Sequence, residues 1–149
     1  MAGPKITWQV YEDDYNEYIP ARNYTEEGSY TNGQSIVRRL RVWNNYAGVK
    51  DVDDMNNCNL ILSFKNFEDN FLLYLIAVRV NQGEYVAPII DTDKGVVKLG
   101  DLSGLANDGS TANSSNYFDI EFKIGPFPSN MRCELKSLYF YLESFGAEE

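Results

Sequence analysis

The chain has 149 residues, 44% of them hydrophobic and 14% aromatic, which predicts one globular domain with a core large enough to stand without staples. Against 13 Lys and Arg stand 22 Asp and Glu, and the net charge of −9 disfavours nucleic acid as a partner, since a phosphate-binding surface needs a basic stripe to release counterions. Histidine is absent, so the commonest general base and metal ligand is missing, and the longest apolar run, residues 71–78, is too short to span a membrane.

Met1 to Lys5 carries no apolar h-region, so the expectation is a chain without a cleaved secretion signal, made soluble in a cytosol. Ile6 to Val10 alternates and is predicted as the first strand, with Ile6, Trp8 and Val10 facing the core. A polar, tyrosine-rich passage follows from Tyr11 to Gln34. It sets Tyr11, Tyr15, Tyr18, Tyr24 and Tyr30 among acids, and its length points to a functional arm, an extra strand or a plain loop. The division is therefore residues 1–34, a strand plus arm, and residues 35–149, the body of a single domain.

Ser35 to Trp43 is the second strand, with Ile36, Leu40 and Val42 on one face and Val37 and Trp43 on the other, ended by the turn residues 44–48. Asp51, Asp53 and Asp54 suit a helix N-terminus, so a single helical turn is expected within Val49 to Asn57. Cys58 to Phe64 is a core strand, and the near-continuous apolar run from Phe71 to Val80 is expected to be the central, most buried one. Asn81 to Glu84 reads as a hairpin turn toward Tyr85, and residues 89–99 as a second hairpin with Gly95 in the left-handed position. After a Gly, Ser, Asn and Asp loop at 104–116, Tyr117 to Ile124 alternates sharply, and Leu135 to Phe145 closes the chain as its last strand.

The chemistry of this inventory is thin. Gly28-Ser29, Ser103-Gly104 and Gly109-Ser110 lack the flanking pattern of a nucleophile elbow and have no histidine to activate them, so no catalytic residue is assigned and no enzyme is expected. Asp13-Asp14 and Asp53-Asp54 read as solvated acids rather than a glycosidase pair. Asp91-x-Asp93-x-Gly95 opens like a calcium loop, but Leu102 stands where the closing Glu belongs, so no metal and no cofactor is expected. Cys58 and Cys133 begin apolar runs, as buried free thiols or as a pair. Arg38, Arg39 and Arg41 are either solvated strand positions or half of a charged protein contact.

The tyrosines carry more information, because Tyr offers amphipathic contact area at low entropic cost. The predicted contact residues are Trp8, Tyr11, Tyr15, Tyr18, Tyr24 and Tyr30. Strands with turns at short, even spacing predict an all-β antiparallel sandwich, immunoglobulin-like or, as the alternative, a jelly roll. Val97 to Leu102 followed by the alternating Phe118 to Phe122 resembles the later strands of immunoglobulin-like adhesion and appendage domains. Ser35 to Asn45 with Asn59 to Phe64 resembles their earlier strands, so the resemblance spans most of residues 35–143, without the Cys…Trp…Cys spacing of antibody domains.

Small size, acidity and Tyr and Asn richness together resemble structural proteins of bacteriophage virions. That resemblance implies a capsid-decorating or tail-associated subunit, made in the host cytoplasm and located in the virion. Its partners would be a major capsid or tail protein, or copies of itself, with neither nucleic acid nor membrane. Two rivals remain: a carbohydrate-binding or host-recognition module, which requires exposed coplanar aromatics, and a cytosolic adaptor.

Overall fold

The computed structural model describes residues 2–12, 17–21, 24–31, 35–64, 73–125 and 132–143, with backbone alone for residues 12, 19–21, 24–31, 64, 132–137 and 139. Among the described residues ten strands form, in chain order: β1 (Ile6–Glu12), β2 (Glu17–Ala21), β3 (Tyr24–Thr31), β4 (Ile36–Asn44), β5 (Met55–Phe64), β6 (Ile76–Val80), β7 (Ile89–Asp91), β8 (Lys94–Leu102), β9 (Tyr117–Ile124) and β10 (Arg132–Glu143). They make two five-stranded antiparallel sheets, ordered β2-β1-β4-β9-β6 and β3-β10-β5-β8-β7.

The pairing is nested. β3 pairs with β10, β4 with β9 and β5 with β8, and the segment entering β7 bridges back to β6 through Val78 and Val86. Successive pairs of this long folded hairpin fall alternately in the two sheets, which is how a jelly roll is wound, so the connectivity is that of the jelly-roll alternative. The strands β1 and β2 extend the first sheet as an added hairpin beside β4. The tyrosine-rich passage thus supplies backbone to both sheets, β2 to the first and β3 to the second.

Period-2 alternation along β9 turns Phe118, Ile120, Phe122 and Ile124 inward, where all four are buried with Leu40 and Val42 of β4 and Leu60 and Leu62 of β5. Phe122 and Phe140, one from each sheet, bring their ring centroids to 4.6 Å across the core. Leu73 is buried as expected, whereas Leu75 only packs against the margin of the core. The Phe64 side chain lies outside the described residues.

Three sequence expectations fail here. The run expected as the central strand instead enters through a 3₁₀ turn at 73–75 and becomes β6, an edge strand of its sheet. Its apolar continuity comes from the turn, where Tyr74 points to solvent and Leu73 into the core, and not from burial on both faces. No helical turn forms in Val49 to Asn57. Asp51 and Asp54 instead accept the backbone N–H groups of Ala106 and Gly104 at 2.8 and 2.7 Å, tying two loops together. Gly95 is not the left-handed residue of its hairpin: Thr92 takes φ 58°, and Gly95 lies in β8, where a Cβ would come within 2.9 Å of Pro88. The preceding hairpin is as expected, with Asn81 and Gln82 both at positive φ, the geometry of a type I′ turn.

One end of the sandwich is closed by asparagines. Asn45, at φ 63°, donates to the carbonyls of Lys50 and Gly104, and the buried Asn116 to those of Asn44, Ser103 and Leu105. These amides supply donors to loop carbonyls where the strand ladder ends and the chain turns, the Gly104 carbonyl accepting from Val52 N as well. The N-terminal segment belongs to this closure: Ala2 bridges Val52, Asp53 N donates to Ala2 O, and Asn45 N donates to Lys5 O.

Candidate functional site

The outer face of the first sheet brings together residues that the sequence leaves scattered. In the β4–β9 register, Trp43 lies opposite Tyr117, Arg41 opposite Asp119 and Arg39 opposite Glu121, all pointing away from the core. On one side β1 and β2 add Gln9, Tyr11 and Tyr18, with Tyr11 directly opposite Tyr18. On the other side β6 places Arg79 opposite Glu121. One transverse row therefore reads Tyr18, Tyr11, Arg39, Glu121, Arg79 across five strands.

The row is knit by stacking and ion pairing. The Arg39 guanidinium lies 3.9 Å from the Tyr11 ring centroid and that of Arg41 lies 4.0 Å from Tyr18. The two tyrosines meet edge-to-face at 5.3 Å with an interplanar angle of 70°. Arg41 Nε also donates to Asp119 at 2.6 Å, and Arg79 to Glu121 at 3.2 Å. The Tyr85 hydroxyl donates to the second oxygen of Glu121, with Lys123 4.3 Å from the Tyr85 centroid. A guanidinium over a tyrosine at an exposed site is stabilising by about 0.5–1 kcal/mol, and more where it is partly buried as at Arg41, so these side chains are preorganised rather than free.

The electrostatics follow from this packing. Burial raises the Tyr18 and Tyr85 hydroxyls above their ordinary range, the Glu121 hydrogen bond adding to the rise at Tyr85. Burial alone would lift Glu121, but hydrogen bonds from Tyr85 and Arg79 and the charge of Arg79 outweigh it and hold the carboxyl low. Between Tyr18, Arg39, Arg79, Gln82, Asp119 and Glu121 lies a cleft of about 30 Å³, room for a water or two. It can seat the tip of a side chain and is too small for a metabolite.

Trp43 shows how this face is closed at its end. It points outward, yet it is 1% exposed, because Tyr117 and Tyr46 pack on it at 4.6 and 4.9 Å. Its indole N–H donates to Gln9.

Of the predicted contact residues, the structure brings Tyr11 and Tyr18 together on this face. Trp8 is a correction: it is 4% exposed and part of the core, so its ring cannot dock on anything. Ile6, expected inward beside it, is on the exposed margin. Tyr24 and Tyr30 lie on β3 in the other sheet, with side chains outside the described residues, as is the whole of Tyr15. The sequence reading missed Arg79, Tyr85, Tyr117, Asp119 and Glu121. Alternation along 117–124 signalled that Tyr117, Asp119, Glu121 and Lys123 share a face; nothing local signalled what stands beside them.

The wider opening, about 400 Å³, lies on the second sheet at the bulge where Cys58 meets Gly100, beside Asn57, Asn59 and Lys98. Its thiol is a poor nucleophile. Cys58 is free and 1% exposed, and burial, with the nearby charge of Asp101, pushes it up to about 11. The register puts Cys133 about ten residues of β10 away, roughly 33 Å, far beyond disulfide reach. Among the described residues no cluster of Cys, Asp and Glu could hold a metal ion, and no helix is long and apolar enough to cross a membrane.

No protein-family model matches the chain, and no curated protein or solved structure matches it.

Proposed function

We propose that the protein is a non-enzymatic structural subunit of a bacteriophage particle, decorating or stabilising the capsid or tail through protein–protein contacts made by the outer face of the first sheet. The observation that carries the reading is the row of Tyr18, Tyr11, Arg39, Glu121 and Arg79, held rigid by stacking and ion pairs. Tyr and Arg dominate the hot spots of protein interfaces, and groups already immobilised lose little entropy on binding. Jelly rolls serve in viral capsids as well as in lectins and cupins, so the winding is compatible with this role without choosing it.

The carbohydrate-binding rival is less well supported by the same geometry. Sugar rings stack on open, coplanar aromatics, whereas Tyr11 and Tyr18 stand at 70° to each other and each carries a guanidinium on its face. The test is sedimentation of purified particles with the wild-type chain and with Tyr11→Ala/Tyr18→Ala, with mass spectrometry of the particles for the native protein. Wild-type co-sedimentation that the double variant loses while still folded supports the reading. A chain absent from particles and monomeric in the cytosol returns it to an adaptor.

A further inference from the structure

The charge on this face runs against the rest of the molecule. Arg39, Arg41, Arg79 and Lys123 outnumber Asp119 and Glu121 on the outer sheet surface, in a chain whose net charge is −9. The remainder is correspondingly more acidic, and one part of it is concentrated. The loop end closed by the asparagines exposes Asp51, Asp53, Asp54, Asp101 and Asp108 against Lys5 and Lys50. A positive sheet face and a negative loop end therefore sit on different sides of one molecule.

Arg39 is the residue that makes this more than a balance of charge. It is exposed, and among the described residues it has no carboxylate within ion-pair distance; its neighbour Glu121 is taken by Arg79 and Tyr85. Its guanidinium carbon sits over the Tyr11 ring, 3.9 Å from the centroid. Stacking uses the face of the group and leaves its N–H edge for a planar carboxylate, the bidentate pairing for which arginine is suited. The cleft at its foot, beside Tyr18 and Gln82, has the size of a side-chain tip.

We infer that this face receives the acidic loop end of a second copy of the same chain, Arg39 pairing with carboxylates around Asp53. The inference rests on the contact role given to the face above, and names one partner for it. Because the two surfaces differ, the contact is heterologous and repeats from copy to copy, giving rings if the rotation closes and filaments if it does not.

Sedimentation velocity of the full chain tests it. The expected result is concentration-dependent association at low salt, lost near 1 M salt where the screening length falls to ~3 Å. Arg39→Glu and Asp53→Lys should each weaken association about tenfold or more, and mixing the two variants should restore it, since each then offers the surface its partner lacks. Arg39→Gln accompanies them, so that a folding loss in Arg39→Glu leaves the question answerable. A chain that stays monomeric at every concentration and low salt overturns the inference, as does association that Arg39→Gln leaves unchanged. If that monomer still binds particles through Arg39, self-association falls and the contact face stands; if Arg39→Gln and Tyr11→Ala/Tyr18→Ala both bind particles normally, the contact face falls too.

Discussion

Trp43 donates its indole N–H to Oε1 of Gln9 at 2.8 Å, and both residues are buried although they stand on the solvent side of their sheet. The cover of Tyr46 and Tyr117 excludes the water that would otherwise satisfy either group. Gln9→Leu should leave the indole N–H unpaired and cost about 1–3 kcal/mol in urea unfolding. Gln9→Leu combined with Trp43→Phe should show a coupling different from zero in a double-mutant cycle, since the pair is one interaction.

Phe122 is fully buried and stacks on Phe140 from the opposite sheet. Phe122→Ala removes the ring that joins the two layers, and should destabilise by about 3–5 kcal/mol, read from the denaturation midpoint at unchanged slope.

The first residues are part of the fold. Ala2 and Lys5 accept backbone hydrogen bonds from Asp53 and Asn45 at 2.9 and 2.8 Å, and Lys5 N donates to Asn44 Oδ1 at 2.9 Å. Removing residues 1–5 breaks all three, and the expected loss is about 2–4 kcal/mol, seen as a lower melting temperature with no partner present. An unchanged melting temperature would mean that this strap contributes nothing.

Acid and alkali should act on the same pair of residues from opposite sides. Glu121 is held below its ordinary value of 4.5, so its contribution is complete above that pH and is lost as pH falls through the lowered folded value. Tyr85 is raised above 10.0, so its contribution is complete below that pH and is lost as pH rises through the raised value. Tyr85→Phe should reduce the alkaline loss to the share carried by Tyr18, whose hydroxyl is also raised by burial, and weaken the acid one, measured as melting temperature against pH.

Cys58 should resist thiol reagents. At pH 8 a thiol raised to about 11 and 1% exposed presents almost no accessible thiolate, so labelling of this residue should wait for unfolding. Its modification by a disulfide-exchange reagent, followed by peptide mapping, should accelerate sharply across the urea transition. Rapid labelling in the native state would contradict its burial.

What was legible in the sequence is what depends on neighbours in the chain. Alternation at Phe118, Ile120, Phe122 and Ile124 marked β9 and its buried face, and Asn81-Gln82 marked a tight hairpin. The continuous apolar run before Arg79 misled, because continuity records the number of apolar contacts and not the place of a strand in its sheet. The candidate site was half legible. Tyr11 and Tyr18 stood out by composition, but their meeting with Arg39 and Arg41 depends on the register of β1 against β4, set by side chains far along the chain. Trp8 faces the core as its alternation implied, and its second assignment as a contact residue fails, since one ring cannot fill a core and dock on a partner.

The nested winding also governs how the chain comes to fold. β3 cannot find its partner until β10 exists, and the pairs β4 with β9 and β5 with β8 close progressively shorter loops inside that one. Loop-closure entropy is thus paid in full before the outermost contacts return anything, which places the domain among slow, high-contact-order folders. The innermost hairpins around Asn81 and Thr92 are the cheapest to form and the natural place for structure to begin. During synthesis β3 must wait until β10, about a hundred residues further along the chain, has left the ribosome.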